Sequence, residues 1–343
     1  MKIGLLGPRV PGPTAYGVSE TMWGTKVGLE HHGHEVIVGD IAADVDVWYC
    51  YTVGALSYVK DRNEPKVCAL VDLDHHVEIY RRQYFFRQQP MTYAEIGHRH
   101  NMAMGKKLAT LDALRQCVLV IEHAKHHSDW LNEQGIKSHY VPMPIVDPGQ
   151  TGNFSTFSSS GFRILMVGHL MGIATLSGLF YLEEHILPIL ESQLKPGTFT
   201  IHVCGTDDLL KSLKLRFNQY HPEVIFRGYV DDISAEFHSS DIVLVPTPID
   251  LGLRTRIVDA FAHGCLVVAH EANGAGMPEM VHGDNAIVGK DAQQLVDGIS
   301  AAMHATLAEK MVVRQRARQT FVEHFEAKVS IGPVVKMIEA IVG

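Results

Sequence analysis

Arg254, Arg256 and Asp259 are the residues whose types and spacing first indicate chemistry. They follow the apolar run from Ile242 to Val245, which is short and β-branched enough to be a buried parallel strand. The two arginines then stand in the first turn of the next predicted helix, where free backbone amides attract anions and where cations oppose the helix dipole. The placement therefore favours a bound anion that both arginines neutralise. The alternative is a surface ion pair between Arg256 and Asp259, worth roughly 0.2–0.5 kcal/mol.

The elements that must position these side chains form a βαβ unit. Gly252 frees the backbone just before the helix, Ile257 and Phe261 give the helix an apolar face, and Gly264 lies where a left-handed C-cap belongs. A further apolar run, starting at Leu266, is the next strand. The charged residues are therefore expected at the carboxyl end of a parallel strand, where open α/β sheets bind their ligands.

A second polar group follows another predicted strand, Lys66 to Val71. The stretch after it is Asp72-Leu-Asp74-His75-His76. A carboxylate beside a histidine at this edge of a sheet can orient an acceptor hydroxyl or take its proton. The alternative is a helix-capping acid followed by exposed imidazoles. Both interpretations are open.

The composition is that of a soluble globular protein rather than a disordered one. The 343 residues are 46% hydrophobic and 20% charged, with a formal net charge of −8. That charge argues against a general nucleic-acid binder, although a nucleic-acid acceptor stays an open alternative. At this length the chain can form two domains, each with its own core.

Neither a signal peptide nor a run of ~18 apolar residues is evident. The five cysteines show no CxxC spacing and indicate buried thiols in a reducing compartment. We therefore expect a cytoplasmic protein. The 21 histidines include clusters, but no HExxH motif or cysteine pair accompanies them, so we expect no metal site.

Strand and helix patterns alternate in both halves of the chain, which predicts an α/β fold of two Rossmann-like domains in tandem with a cleft between them. A Thr-, Ser- and Gly-rich stretch from Gln150 to Gly161 predicts the linker. We expect an acceptor-side domain over 1–155 and a ligand-binding domain over 156–325. A last helical segment, 326–343, is broken at Gly332-Pro333 and is expected to cross back to the first domain.

The predicted helical stretch from Val77 to Arg115 interleaves aromatic with basic residues. Over 80–107 this pattern fits peripheral contact with an anionic membrane surface or with a charged acceptor. The alternative is a pair of helices with aromatic side chains inward and arginines in water.

Several motifs together resemble the GT-B glycosyltransferases, particularly their family 4, or group 1, branch. The stretch from Gly252 to Val268 is similar to the G-x-R-x-K-x-x-E-A-x-A-x-G-x-P-V-V signature of that branch. Val167-Gly168-His-Leu resembles its V-G-x-L strand end, and Phe226-Arg-Gly-Tyr-Val-Asp resembles its G-x-V-x-D element. Near the start of the chain, Tyr16-Gly17-Val18 and Gly33-His-Glu-Val36 resemble its glycine loop and G-H-x-V motif. The likeness runs from Met1 to about Gly289.

The resemblance implies a retaining glycosyltransferase that uses a nucleotide-diphosphate sugar, a UDP- or GDP-sugar, and needs neither a metal nor a bound cofactor. The acceptor would be the hydroxyl of a glycan, a lipid or another molecule. Arg254 and Arg256 would hold the diphosphate, Asp259 the ribose, and Asp74 or His75 would lie near the transferred sugar, so that Asp74, His75 and Arg254 are the expected catalytic residues. The expected donor site comprises Gly17, Gly168, His169, Gly252, Leu253, Arg254, Thr255, Arg256 and Asp259.

Three residues depart from the family pattern. Leu251 stands where the first carboxylate of the E-x7-E pair is expected, with Asp250 one position away; the second glutamate is Asp259; and His169 replaces a common arginine. A sugar-nucleotide or glycan binder without activity also fits these departures. A GT-B-like epimerase is a further alternative.

Overall fold

The strand–helix alternation produces two sheets of six parallel strands each, so the predicted α/β fold is confirmed. The computed structural model describes residues 1–8, 12, 18–85, 92–149, 161–195, 197–205 and 211–343. Most of the predicted linker, and with it the boundary at 155/156, lies outside the described residues.

The first sheet has the order β2-β1-β3-β4-β5-β6. Its strands are β1 (Lys2–Leu6), β2 (Glu35–Val38), β3 (Val47–Tyr51), β4 (Lys66–Leu70), β5 (Leu119–Glu122) and β6 (Ser138–Tyr140). Its helices are α1 (Val18–His31), α2 (Val53–Leu56), α3 (Asp74–Phe85), α4 (Tyr93–Leu114) and α5 (Lys125–Glu133).

The second sheet has the order β12-β11-β10-β7-β8-β9. Its strands are β7 (Phe162–Val167), β8 (Phe199–Cys204), β9 (Val224–Gly228), β10 (Ile242–Val245), β11 (Val267–His270) and β12 (Ile287–Gly289). Its helices are α6 (Ile173–Tyr181), α7 (Leu187–Gln193), α8 (Lys211–Tyr220), α9 (Ile233–His238), α10 (Thr255–Ala262), α11 (Ala292–His304) and α12 (Leu307–Thr320).

Each sheet reverses its strand order once, between β1 and β3 in the first and between β7 and β10 in the second. At such a point the connections leave in opposite directions and open a crevice outside the carboxyl ends of the strands. The predicted strand at Ile242–Val245 is β10, and all four of its residues are buried. The residues that follow β7 and β10 therefore border the crevice of the second sheet.

The end of the chain packs on the first half of the molecule, against α1 and beside Ile145. After α12, a π-helical turn at Phe321–Phe325 leads to α13 (Ala327–Ser330) and α14 (Gly332–Val342). Ile145 and the C-terminal segment exchange backbone hydrogen bonds, from Ile145 N to Phe325 O and from Ala327 N to Ile145 O, both 2.9 Å. The break expected at Gly332-Pro333 is the start of α14. A second break, at Glu326 with an extended ψ of 129°, is one that the sequence did not reveal.

Among the described residues, one continuous helical stretch, Ile173–Gln193, meets the length and hydropathy expected of a membrane span, although 67% of its apolar window is buried inside the protein. It consists of α6, a π-helical turn at Leu182–Ile186 and α7. The turn and α7 contact α11, and the buried residues of the stretch belong to the core of the second sheet. Its acidic residues Glu183 and Glu184 explain why no uninterrupted apolar run marks it in the sequence.

We expect Gly28→Ala to destabilise the protein and Gly97→Ala to stabilise it slightly. A Cβ at Gly28 on α1 would lie 2.6 Å from the carbonyl oxygen of Ala327 and 2.8 Å from Ile331, so α1 and α13 would have to separate. Such overpacking costs about 1–3 kcal/mol. Gly97 on α4 has open space around it, and alanine there gains up to about 1 kcal/mol of helix propensity. Urea unfolding measures both, and equal stabilities would contradict the packing of the C-terminal segment on α1.

Candidate functional site

The amino end of α10 is an uncapped helix terminus at the carboxyl edge of the second sheet. Arg254 occupies its N-cap position, and no side chain accepts a hydrogen bond from its first amides. The first turn contains no acidic residue. The free amides and the helix dipole therefore leave this end of α10 suited to an anion, as the sequence predicted.

Arg254 and Arg256 lie at this terminus in an environment that disfavours their charge. Arg254 is only 7% exposed, and burial lowers its pKa, an effect that the nearby Asp72 opposes. Burial and the adjacent charge of Arg254 lower the pKa of Arg256 to about 9. Each guanidinium would be stabilised by an anion placed between them.

Gly168 and Arg256 are brought into contact, as the expected donor site requires. Gly168 follows β7, and a Cβ there would lie 3.1 Å from Nη1 of Arg256 and 2.5 Å from Oγ1 of Thr175. Only a residue without a side chain lets the guanidinium lie this close to the β7–α6 turn. His169, the next residue, is exposed at the same edge.

Asp259 lies one turn further along α10 and meets the first half of the molecule. Its carboxyl forms a hydrogen bond with the carboxyl of Glu20, in the first turn of α1. Desolvation raises the pKa of Asp259 to about 7, while the hydrogen bond with Glu20 and the charge of Arg256 act in the opposite direction. Two carboxyls can share a hydrogen bond only when one of them holds a proton, so the pair retains a proton near neutral pH.

The carboxylate that approaches Arg254 is Asp72, which the expected site did not include. Asp72 follows β4, and a Cβ at Gly252 would overlap its Oδ1. Desolvation raises the pKa of Asp72 to about 6, and the charge of Arg254 opposes this rise. Residues after β4 and β10 therefore meet, which means that the carboxyl edges of the two sheets face each other across a cleft.

Asp74 and His75 are the expected catalytic residues of the first half. Their surroundings differ from those of Asp72. Asp74 is exposed as the first residue of α3. His75 is 5% exposed, and its ring packs 4.8 Å from Trp130 and 4.3 Å from His76. Burial lowers its pKa to about 4. His75 is therefore a neutral, packed imidazole.

The remaining residues of the expected donor site differ in what they offer. The amide of Gly252, whose φ is +58°, donates to Nε2 of His127 at 3.4 Å. Leu253 is buried in the hydrophobic core, so only its backbone can face a ligand. Thr255 is half-buried as the first residue of α10. Gly17 lies outside the described residues.

Leu251 and Asp250 lie apart from the two arginines in what they contact. Leu251 is 2% exposed and belongs to the core of the second sheet. The carboxylate of Asp250 accepts a hydrogen bond from the hydroxyl of Tyr80 on α3. Leu251 therefore packs in the core, and the neighbouring Asp250 is directed toward α3.

One triad of potential metal ligands occurs within the described ranges, and it lies away from the cleft. Glu191, His221 and Glu223 bring one ligand atom each to within 4.8 Å of one another. Glu223 immediately precedes β9, which places the triad at the amino edge of the second sheet. The triad therefore has no part in the chemistry of the opposite edge.

The described residues of the segment 80–107 lie at the end of α3 and in α4, and their aromatic side chains differ in exposure. Tyr84 is buried and stacks on Phe180 of the second half at 6.4 Å, whereas Tyr93 is 94% exposed. Three cations lie 3.3–3.9 Å from the buried carboxylate of Glu78, namely Arg81, Arg99 and Lys106. The inward packing expected of a helix pair holds for Tyr84 but not for Tyr93. Membrane contact stays a prediction.

The cleft therefore offers two desolvated cations and free helix amides at one point, with carboxyl groups on either side of them. Such a site suits a ligand with more than one negative charge and with hydroxyl groups near the charge. Asp72 belongs to the polar group expected after β4 but was not among the expected site residues, and Glu20 was not expected at the site at all. Asp72 is the first residue after a predicted strand, which is the signal that could have indicated it.

Residues 161–305 match the protein family described as glycosyl transferases group 1. No curated protein matches the chain in sequence. The fold is similar to that of HepE of Anabaena in complex with UDP and glucose, at a TM-score of 0.68 and 17% identity, covering 99% of this chain and 100% of that one.

Two further solved structures show the same fold. Sucrose-phosphate synthase of Thermosynechococcus elongatus aligns at a TM-score of 0.69 and 12% identity, covering 99% of each chain. TarM of S. aureus, in complex with fondaparinux, α-GlcNAc-glycerol and UDP, aligns at 0.64 and 10% identity, covering 85% of this chain and 55% of that one. The chain therefore has the GT-B fold throughout, and its second sheet with the flanking helices matches the group 1 glycosyltransferases.

Proposed function

We propose that this protein is a retaining, metal-independent glycosyltransferase that moves a sugar from a nucleotide-diphosphate sugar to an acceptor hydroxyl. The observation that carries the proposal is the pair Arg254 and Arg256 at the uncapped amino end of α10. Both are desolvated, and both would regain their full basicity beside a diphosphate. The match of residues 161–305 to group 1 glycosyltransferases supports the same activity.

For the donor, we propose that the diphosphate lies on the two arginines and that the ribose hydroxyls bind to Asp259. HepE, which shares the fold, has been solved with UDP and with UDP-glucose. A UDP-sugar is accordingly the first donor to test. The positive charge beside the departing diphosphate offsets its growing negative charge. In metal-dependent enzymes a bound metal ion has this role.

For the acceptor, we propose that its hydroxyl lies beside Asp72, at the carboxyl edge of the first sheet. We assign to Asp72 the acceptor-binding role that was expected of Asp74 or His75, because Asp72 faces Arg254 across the cleft. A carboxyl with a pKa of about 6 is ionised at neutral pH and basic enough to accept a hydroxyl proton. Asp72→Asn is expected to leave donor binding intact and to slow transfer; unchanged turnover would exclude this role.

The reaction compartment is proposed to be the cytoplasm. All five cysteines are free thiols, and four of them are buried. Burial raises the pKa of Cys50 and Cys265 to about 12, so these thiols are unreactive. Such thiols suit a reducing compartment.

The decisive experiment incubates the protein with UDP-, GDP- and ADP-sugars, with and without simple glycosides as acceptors and with a chelator present. Acceptor-dependent release of nucleotide and an anomeric product of unchanged configuration are expected. Calorimetric binding without turnover would indicate a sugar-nucleotide binder instead. Nucleotide release that needs no acceptor would indicate an epimerase-like activity or donor hydrolysis, and binding to no nucleotide sugar would refute the proposal.

Arg254→Gln is expected to weaken UDP-glucose binding about 10- to 100-fold, because a charge-assisted hydrogen bond is worth about 1.5–3 kcal/mol. The matched control is Arg316→Gln on α12, where the side chain is exposed and its nearest carboxylate, that of Asp284, is 3.8 Å away. Isothermal titration calorimetry measures both variants. Equal losses, or no loss, would show that Arg254 does not hold the diphosphate.

Asp259→Asn is expected to weaken donor binding about tenfold and yet to stabilise the folded protein above pH 7. The folded-state pKa of Asp259 is raised above its unfolded value, so the stability it contributes is present at low pH and is lost as pH rises through about 7. Asparagine does not titrate, so its advantage over the wild type should grow between pH 4 and 7, to roughly 1–2 kcal/mol because water in the cleft screens the charge.

The measurement is urea unfolding at several pH values, with Asp297→Asn on the exposed face of α11 as the control. The control should show no such trend. A wild-type protein that is as stable as Asp259→Asn at pH 8 would mean that Asp259 is not desolvated.

A further inference from the structure

Three consecutive residues at the start of α5 connect the first half of the molecule to the second. The amide of Lys125 donates to Gly276 O at 3.1 Å, and the amide of His126 donates to Ala275 O at 3.2 Å. The Nε2 of His126 bonds to Asp250 O at 2.6 Å. With the bond from Gly252 N to Nε2 of His127, this makes four hydrogen bonds, which we call the α5 clamp.

The start of α5 depends on the second half for its cap. Ala124 occupies the N-cap position and supplies no side-chain acceptor. The first amides of a helix have no partner within the helix, and here the carbonyls of Ala275 and Gly276 take that place. The clamp is therefore complete only when the two halves are together.

His127 can serve the clamp only as a neutral imidazole. Its Nε2 lies 3.4 Å from the amide of Gly252 and 3.3 Å from Nδ1 of His76. As the acceptor for both, His127 holds its own proton on Nδ1, which lies 4.0 Å from Oε1 of the buried Glu122. Burial, together with the charges of His126, His76 and Arg254, lowers the pKa of His127 to about 2. His127 is thus a permanent acceptor for the Gly252 amide.

The clamp holds the segment that carries the anion site. We call residues 246–254, between β10 and α10, the arginine loop. The clamp binds this loop at Asp250 and at Gly252, which lie four and two residues before Arg254. At Gly252 the loop also fits closely against Asp72 on one side and Gly276 on the other.

We propose that His126 and His127 are positioning residues, which place Arg254 by clamping the arginine loop to the first half when the cleft is closed. The donor site would then be assembled by closure and not by the second half alone. This inference rests on the proposed donor site for its effect on binding. The clamp itself can be tested without any ligand.

Gly276→Ala is the first test, with Gly274→Ala as its matched control. A Cβ at Gly276 would lie 2.5 Å from Gly252 O and 3.4 Å from the His126 ring, so it would wedge the clamp open. A Cβ at Gly274, in the same loop, meets nothing closer than 3.2 Å, and its φ of −69° accepts alanine. Gly276→Ala should raise amide exchange at 250–254 and 125–128 about tenfold without ligand, and weaken UDP-glucose binding about tenfold. Gly274→Ala should behave as the wild type.

His127 supplies the second test, which separates positioning from mere packing. His127→Leu removes the acceptor, whereas His127→Gln can place an amide oxygen near the position of Nε2. The leucine variant should show faster exchange at the arginine loop and weaker binding, and the glutamine variant should recover most of both. If His127→Leu showed the same loop exchange and the same binding as His127→Gln, the role of the hydrogen bond would be overturned.

The outcomes distinguish this inference from the proposed function. Faster loop exchange in Gly276→Ala and His127→Leu, with weakened binding, supports the clamp. Wild-type exchange and binding in both variants would refute it, even if the protein is a glycosyltransferase. If the wild type bound no nucleotide sugar, the proposed function would fail, and the exchange measurement would still decide whether the clamp holds the loop.

Discussion

Two like charges held out of water, on Arg254 and Arg256, are the constraint on which the cleft depends. Burial lowers the pKa of both guanidinium groups, and the charge of Arg254 lowers the pKa of Arg256 further. The local excess of positive charge is increased further, because α10 starts without a capping side chain and presents its free amides at the same point. A folded structure that keeps such an arrangement is preorganised for an anion, and preorganised charges need no costly rearrangement when negative charge builds up on a leaving group.

The same constraint explains why the site is divided between two halves. The second half supplies the cations, while Asp72, Glu20 and His127 reach them from the first. Asp72 lies across the cleft and tempers the positive charge of Arg254. The C-terminal segment after Glu326 also connects the two halves, because it follows α12 and packs on α1. The two halves are therefore joined by this segment as well as by the hydrogen bonds between the carboxyl edges of the sheets.

Local patterns predicted β10, α10 and the anion-ready helix end because each depends on residues close together in the chain. The partners across the cleft depend on contacts between distant residues: Asp72 meets Gly252, and Glu20 meets Asp259. Pattern reasoning placed a polar group after β4 but could not decide which side chain faces the cleft, because α3 starts at Asp74 and turns His75 toward Trp130. Sequence therefore predicts an edge of a sheet better than the side chain that projects from it.

In the proposed reaction, the lack of a carboxylate at Leu251 leaves Asp72 as the carboxylate that faces Arg254. Leu251 is buried and uncharged, and the carboxylate of Asp250 accepts a hydrogen bond from Tyr80 on α3. Arg254 is the group that keeps the pKa of Asp72 from rising further. A diphosphate bound to Arg254 would neutralise part of that charge, and the pKa of Asp72 would then rise toward neutrality. Since a general base is most effective when its pKa lies near the working pH, donor binding would itself make Asp72 a better acceptor of the hydroxyl proton.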